Sequence, residues 1–206
     1  MSLPSKKIAV LISGSGTNLQ AVIDACDSGK ISGKVVLVIS DNPDAYGLIR
    51  AKKHKLNTYL CQGEEELTDL LKNYQVDVIL LAGYLKVIPP SIIHRYRNQI
   101  INIHPSLIPA FCGKGYYGLK IHEKVVERGV RYTGVTTHFV DETTDGGPII
   151  FQEIVPVEGE NPTELQQKVL HREHCLLVKT MAYFCDNRLE VKGHHVLVKG
   201  VEDCKH

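Results

Sequence analysis

The chain has 206 residues, the length of one domain, and 43% of them are hydrophobic, which is enough to build a buried core. The 24 Lys and Arg and the 23 Asp and Glu leave a formal charge of +1, and no basic run indicates a nucleic-acid or membrane partner. No C-x-x-C pair, signal peptide or membrane-spanning apolar run is present, so we expect a soluble, cytoplasmic protein without a metal site.

The first element is a continuous apolar run at residues 7–12, which predicts a fully buried parallel strand. It leads into a turn at 13–18 that contains Gly14 and Gly16, and apolar residues at helical spacing follow. Glycines at a helix start leave room for a ligand, and the free N–H groups there favour an anion; a tight turn without a ligand is the alternative. Leu19 stands where a dinucleotide motif has its third glycine, so a phosphate on a small molecule is favoured over NAD or ATP.

The next segments repeat this order of strand and helix. Strands are predicted near 35–39, 58–60, 76–82 and 99–104, and helices near 45–54, 64–74 and from Pro89–Pro90 onward. Strands that alternate with helices five times predict an α/β fold with a doubly wound, mainly parallel sheet.

The strand at 99–104 ends in two polar residues, Asn102 and His104, because Pro105 cannot continue a ladder. They are two positions apart, so they share one face of the strand. Open α/β sheets bind ligands at the carboxyl ends of their strands. A His that caps a strand beside an Asn in a turn is the alternative. Ser106 could be a nucleophile in principle, but in a turn beyond Pro105 a structural hydroxyl is favoured.

The last third of the chain has a different pattern. A long loop at 105–118 invites a functional interpretation as a lid or pocket wall, and a helix at 119–128 ends before Gly129. Residues 132–140 and 149–157 alternate without a helix between them, which predicts an antiparallel hairpin with 141–148 as its connection. A helix capped by Asn161 and a short terminal hairpin at 189–198 complete the chain, and the last residues are expected to fray.

Two carboxylates draw attention in this region. Glu173 falls within the apolar stripe of the long helix, so it needs a partner, since burying an unpaired charge is costly. Asp145 precedes Gly146–Gly147, which would let backbone approach a ligand. A carboxylate beside His104 would orient the ring and favour its charged form, and imidazolium and the Asn102 amide are both donors suited to an oxyanion. With no Ser or Cys paired to His104, direct group transfer is expected.

The sequence N-I-H-P-S-L-I-P at 102–109, with D-G-G-P at 145–148, resembles the formyltransferases that use 10-formyltetrahydrofolate. The early I-S-G-S-G-T-N-L at 12–19 narrows the resemblance to the phosphoribosylglycinamide formyltransferases of purine synthesis. The resemblance covers essentially the whole chain. It implies a Rossmann-like formyltransferase fold in a single domain, residues 1–206, with a phosphate-binding half (1–100) and a catalytic and folate-binding half (101–206).

Carried over residue by residue, the resemblance implies that Asn102, His104 and Asp145 are catalytic. The residues that would bind phosphoribosylglycinamide are Gly16, Thr17, Asn18 and Glu173. The residues that would bind the formyl donor, 10-formyltetrahydrofolate, are Leu85, Lys86, Val87, Ile88, Asn102, Asp141, Glu142, Thr143 and Thr144. The resemblance implies no metal. For His138, a place near the folate pocket and a satisfied sheet histidine are equally open.

Two features depart from the family pattern. Many relatives carry a basic residue early in the helix after the third strand, whereas residues 61–66 are short and acidic here, so that contact is absent or replaced. The segment at 111–118 is longer than the usual Pro-Gly-Leu form, and Lys114 is a candidate substitute cation.

Other functions remain as alternatives. Methionyl-tRNA formyltransferase needs a C-terminal tRNA-binding domain that 206 residues cannot hold, and formyltetrahydrofolate hydrolase usually has an N-terminal regulatory domain, whereas the sheet begins at Lys7 here. A non-catalytic nucleotide- or folate-binding module would have no need of Asn102, His104 and Asp145 together. We expect small-molecule partners only, no nucleic acid or membrane, and a monomer or weak homodimer.

Overall fold

The computed structural model describes residues 5–200, which form nine strands and six helices. The strands are β1 (Lys6–Ile12), β2 (Gly33–Ser40), β3 (Asn57–Leu60), β4 (Val78–Leu81), β5 (Ile100–His104), β6 (Tyr132–Phe139), β7 (Ile149–Pro156), β8 (Leu189–Lys192) and β9 (His195–Val198). The helices are α1 (Thr17–Asp27), α2 (Tyr46–Lys53), α3 (Glu64–Asn73), α4 (Pro90–Arg95), α5 (Leu119–Arg128) and α6 (Pro162–Cys185).

Within residues 5–200 the strands form a single sheet in the order β3-β2-β1-β4-β5-β6-β7-β9-β8. β1 pairs in parallel with both β2 and β4, β2 pairs with β3, and β4 pairs with β5. The strand order therefore reverses at β1, and the carboxyl ends of β1, β4 and β5 meet at one edge of the sheet. The predicted doubly wound, mainly parallel fold is confirmed.

Apolar residues on both faces of the central strands explain this arrangement. Residues 8–12 of β1 have no exposed surface, because helices cover the sheet on both sides. α1, α2, α5 and α6 contribute to the apolar core on one face, and α3 and α4 contribute to the core on the other.

The C-terminal third extends the sheet with antiparallel pairs, as predicted. β6 pairs with β5 and β7, and its register sets His138 opposite Asn102 and Thr136 opposite His104. β8 and β9 form the expected hairpin, and β9 also pairs with β7. The expected fraying of the last residues falls outside the described range.

Helix ends follow the sequence signals. The Asn161 side chain accepts hydrogen bonds from the N–H groups of Thr163 and Glu164, and the Glu164 carboxylate accepts one from the Asn161 N–H. Gly129, with a φ of 69°, ends α5. α6 packs against α1 and brings Glu173 to the start of that helix. None of the helices between residues 5 and 200 is long and apolar enough to cross a membrane.

Candidate active site

His104 is buried at the carboxyl end of β5, with 5% of the residue exposed. Its Nε2 lies 3.0 Å from the carbonyl oxygen of Phe111, and its Nδ1 lies 3.7 Å from Oδ2 of Asp145. Carbonyl and carboxylate oxygens both accept, and an imidazolium has a donor for each of them. Each ring nitrogen of His104 therefore faces a hydrogen-bond acceptor.

Asp145 is held in the β6–β7 connection in a left-handed conformation, with a φ of 55°. Its Oδ2 accepts a hydrogen bond of 2.8 Å from the Gly113 N–H, and its Oδ1 lies 3.8 Å from Nε2 of His138. A non-glycine residue with positive φ costs on the order of 1 kcal/mol, and such strain concentrates at functional sites. The carboxylate thus lies between two imidazoles, His104 and His138.

His138 is a buried sheet histidine that also contacts the candidate catalytic set. Its Nδ1 lies 2.8 Å from the Phe139 carbonyl oxygen, so that nitrogen carries the hydrogen and Nε2 has the lone pair. The Asn102 amide nitrogen is 3.1 Å from Nε2 and donates to it. Burial lowers the pKa of His138, although the Phe139 carbonyl and Asp145 oppose the shift. The interpretation as a satisfied sheet histidine is therefore confirmed, and His138 also contacts Asn102, whereas its place near a folate pocket stays a prediction.

A third histidine, His122 on α5, lies close to this group. Burial, and to a lesser degree the charge of His104, lower the pKa of His122 to about 4. Its Nδ1 is buried without a hydrogen-bond partner among residues 5–200. Burial therefore favours the neutral forms of His122 and His138, and His104 is the histidine whose Nδ1 faces Asp145.

The structure gives a different explanation for one sequence interpretation near the site and supports a second. A Cβ on Gly146 would lie 2.1 Å from Oγ1 of Thr143, and one on Gly147 would lie 2.0 Å from the carbonyl oxygen of Phe139. These glycines are therefore explained by close packing within the connection, and the expected approach of backbone to a ligand is not needed. Ser106 has the favoured structural role, because its buried hydroxyl donates to the Ala110 carbonyl at 2.6 Å.

The segment at 111–118 closes over the carboxyl end of β5. Phe111 supplies the carbonyl on His104 and Gly113 supplies the N–H on Asp145, so the segment contacts both members of the pair. Phe111 itself has a φ of 50°, an uncommon conformation for a bulky residue. Lys114 is exposed and makes no hydrogen bond or ion pair within the described chain, so its expected role as a substitute cation gains no support.

The turn at 13–18 leads into α1 without a side chain that caps the N-terminus of the helix. Gly16 is the N-cap of α1, with a φ of 70° and no capping side chain, and the first hydrogen bond of the helix runs from Gln20 N–H to the Gly16 carbonyl. The N–H groups of Thr17 and Asn18 are therefore left without helical partners. A Cβ on Gly16 would lie 2.5 Å from Cα of Gly47, so packing against α2 also requires this glycine.

Glu173 reaches the same helix start from α6. It is 8% exposed, and its Oε2 accepts a hydrogen bond of 2.9 Å from the Asn18 amide nitrogen. Burial raises the pKa of Glu173, and the hydrogen bond from Asn18 opposes the shift. The sequence expectation of a partner for this carboxylate is confirmed, and that partner is Asn18.

The segment at 85–88 adjoins the turn at 13–18. Leu85 and Val87 are 64% and 85% exposed, whereas Ile88 is buried. The Leu85 N–H donates to the Ser13 hydroxyl at 2.9 Å, and that hydroxyl donates to Oδ1 of Asp41 at 2.6 Å. The segment at 85–88 and the turn at 13–18 are therefore in direct contact.

Lys86 supplies a cation to residues 61–66, the acidic stretch in which many relatives carry a basic residue. Its ammonium donates to the side-chain oxygen of Gln62 at 2.6 Å and to the Gln62 carbonyl at 3.3 Å. A cation therefore does lie against residues 61–66, but it comes from the 85–88 segment. Sequence spacing alone could not reveal this, because the two segments are 24 positions apart.

The remaining predicted residues lie on the β6–β7 connection. Asp141 accepts hydrogen bonds from the N–H and the hydroxyl of Thr143, and Glu142 pairs with His94 at 2.8 Å. Residues 141–143 line a cavity of about 390 Å³ together with α4 and the β8–β9 hairpin. The 85–88 segment and Asn102 do not line that cavity, and Thr144 is exposed. Among residues 5–200, no group of three or more His, Cys, Asp or Glu is arranged to hold a metal ion.

The sequence and the fold are similar to those of known proteins. The family model described as formyl transferase matches residues 6–181. The sequence is 38% identical over 205 residues to phosphoribosylglycinamide formyltransferase of Haemophilus influenzae, covering 95% of this chain and 94% of that protein. It is 40% identical to the chloroplastic phosphoribosylglycinamide formyltransferase of Arabidopsis thaliana, covering 90% and 67%. The crystal structure of glycinamide ribonucleotide transformylase 1 from Symbiobacterium toebii superposes with a TM-score of 0.89 at 38% identity, covering 96% and 95%.

Proposed function

The chain belongs to the formyl transferase family, and we propose that it transfers the formyl group of 10-formyltetrahydrofolate to the glycinamide amine of N1-(5-phospho-D-ribosyl)glycinamide. It is a formyltransferase of purine biosynthesis, because the family and the near-full-length relatives agree on that activity. The observation that carries the proposal is the contact of Asp145 with the buried His104, which lies beside Asn102 at the end of β5.

In the proposed reaction the amine nitrogen attacks the formyl carbon, and a tetrahedral species with an anionic oxygen forms. The bond from that carbon to the folate nitrogen then breaks, while one proton leaves the amine and one reaches the departing nitrogen. Imidazolium of His104 and the amide of Asn102 are donors for the anionic oxygen. His104 is the proton donor, and Asp145 balances its charge.

The amide of Asn102 has a defined orientation for this role. His138 accepts from its nitrogen, and His138 stays neutral because burial lowers its pKa. His138 is therefore a positioning residue in our proposal.

The Phe111 carbonyl oxygen is the hydrogen-bond partner of Nε2 of His104. For that nitrogen to donate to the substrate oxygen, segment 111–118 must first withdraw.

The two substrates are assigned to separate groups of residues. We assign the substrate phosphate to Gly16, Thr17 and Asn18, and the ribose hydroxyls to Glu173, whose buried carboxylate is an acceptor for them. For the formyl donor we keep the residues implied by resemblance: Leu85, Lys86, Val87, Ile88, Asn102, Asp141, Glu142, Thr143 and Thr144. The exposed Leu85 and Val87 support this choice, since an apolar ring system would cover them.

Several expectations from the sequence remain proposals. These are a single domain over residues 1–206 with its two functional halves, a cytoplasmic location, catalysis without a metal, and a monomer or weak homodimer. Hydrolysis of the formyl donor is the alternative closest in chemistry, since it needs the same histidine and carboxylate.

An assay with both substrates separates these reactions. Purified protein is mixed with 10-formyltetrahydrofolate and phosphoribosylglycinamide, and the formylated product, tetrahydrofolate and formate are quantified. We expect formylated product and tetrahydrofolate in equal amounts, with no formate above the rate without enzyme. Formate release that does not depend on the amine substrate would favour the hydrolase.

A further inference from the structure

One cation is held directly against the turn at 13–18. Arg50 on α2 donates from Nε to the Ser15 carbonyl oxygen at 2.9 Å, and its guanidinium carbon lies 5.1 Å from the centre of the Tyr46 ring. A Cβ on Gly16 would lie 3.5 Å from Cδ of Arg50, so the side chain passes over that glycine. A hydrogen bond and a cation–π contact therefore hold the guanidinium beside the start of α1.

Most of the donors of Arg50 are unused. Arginine has five N–H donors, and Ser15 takes one of them. Over the described range 5–200, no carboxylate forms an ion pair with Arg50 and its Nη groups donate to no protein acceptor. The two Nη groups form a planar fork, the geometry that matches two oxygens of a phosphate.

A second observation at the start of α1 also points to a ligand. Asn18 is 8% exposed and gives its amide nitrogen to Glu173, while its buried Oδ1 has no partner among residues 5–200. A buried acceptor left unpaired is unfavourable, so it indicates a donor supplied from outside the chain. A phosphorylated sugar supplies both parts, because its hydroxyls donate and its phosphate accepts.

We propose that Arg50 binds the phosphate of the phosphoribosyl substrate through its Nη groups and so fixes the position of the substrate at the start of α1. This proposal rests on the proposed function, since it names a further binding residue for the same amine substrate. The N–H groups of Thr17 and Asn18 approach the phosphate from the helix start, and Arg50 approaches it from α2. The bond to Ser15 explains why arginine is needed: a lysine has neither the Nε anchor nor the fork.

The test compares three variants with wild type. Arg50→Met removes the charge and the fork, Arg50→Lys keeps only the charge, and Lys53→Met makes the same charge change at an exposed position of the same helix. A charge-assisted contact to phosphate accounts for about 10- to 100-fold in affinity. We expect the KM for phosphoribosylglycinamide to rise by that factor in Arg50→Met, by less in Arg50→Lys, and less than about twofold in Lys53→Met, with kcat little changed.

Two further measurements make the interpretation specific. Glycinamide ribonucleoside, which lacks the phosphate, should react equally well with wild type and Arg50→Met. Calorimetric titration with inorganic phosphate should show weaker binding in Arg50→Met than in Lys53→Met, whether or not turnover occurs. Equal KM values in Arg50→Met and Lys53→Met, or equal losses with and without the phosphate group, would overturn the proposal for Arg50. Absence of formylated product with wild type would instead overturn the proposed function, and the phosphate titration would still decide the role of Arg50.

Discussion

Replacement of His122 tests whether burial keeps this imidazole neutral beside His104. Burial lowers its pKa from 6.5 to about 4 in the folded chain. Between these two values the unfolded chain binds more protons than the folded one, so stability is present above pH 6.5 and is lost as the pH falls towards 4. For this one group the loss is about 2 kcal/mol at pH 5 and about 3 kcal/mol at pH 4.

The assay is urea denaturation at pH 7.5 and pH 5.0. We expect the difference in unfolding free energy between the two pH values to be about 2 kcal/mol smaller in His122→Leu than in wild type. His195→Leu, at an exposed position, serves as the control and should leave the difference unchanged. An unchanged pH dependence in His122→Leu, with the same denaturant slope, would refute the reasoning.

Further outcomes follow from the site. His104→Ala should fold normally and lose about 10²–10⁴-fold in turnover, as judged by circular dichroism and the formyl-transfer assay. Asp145→Asn keeps an acceptor for the Gly113 N–H but removes the charge facing His104, so kcat should fall while both KM values change little. Glu173→Gln should gain stability relative to wild type as the pH rises above about 4.5, since the raised pKa makes the charged carboxylate costly to the fold, and its KM for phosphoribosylglycinamide should rise. Gly16→Ala should lower the unfolding free energy by at least about 1 kcal/mol, whereas Gly14→Ala should be near neutral, because a Cβ on Gly14 meets nothing within 4 Å. Equal stabilities of these two glycine variants would contradict the packing argument.

Periodicity determined the architecture of the parallel half. The apolar runs at β1 and β4 alternate with helical patterns, and a strand buried on both faces is encoded in such a run. The hairpin of β6 and β7 could also be predicted from the sequence. Two alternating runs joined by a short connection without a helix pair antiparallel, because a parallel pair needs a crossover. Local chemistry also specified the cap at Asn161 and the helix end at Gly129.

The candidate catalytic residues on β5 could be predicted from the sequence for a related reason. Asn102 and His104 lie two positions apart on one strand, so a short-range rule places them on one face. Their partners belong to distant parts of the chain. His138 lies 36 positions from Asn102, and Gly113 lies 32 positions from Asp145. No local pattern encodes which of ten histidines contacts which carboxylate.

The sequence by itself determined the order of strands and helices, the strand end that carries Asn102 and His104, and the glycine turn before α1. These are consequences of spacing within a few residues, which backbone geometry converts directly into a face or a turn. Only the tertiary structure decided that His138 orients Asn102, that Lys86 lies against residues 61–66, and that Arg50 lies over Gly16. Each of these contacts joins side chains from separate elements, and their distance depends on how whole elements pack, a property that no single stretch of the chain contains.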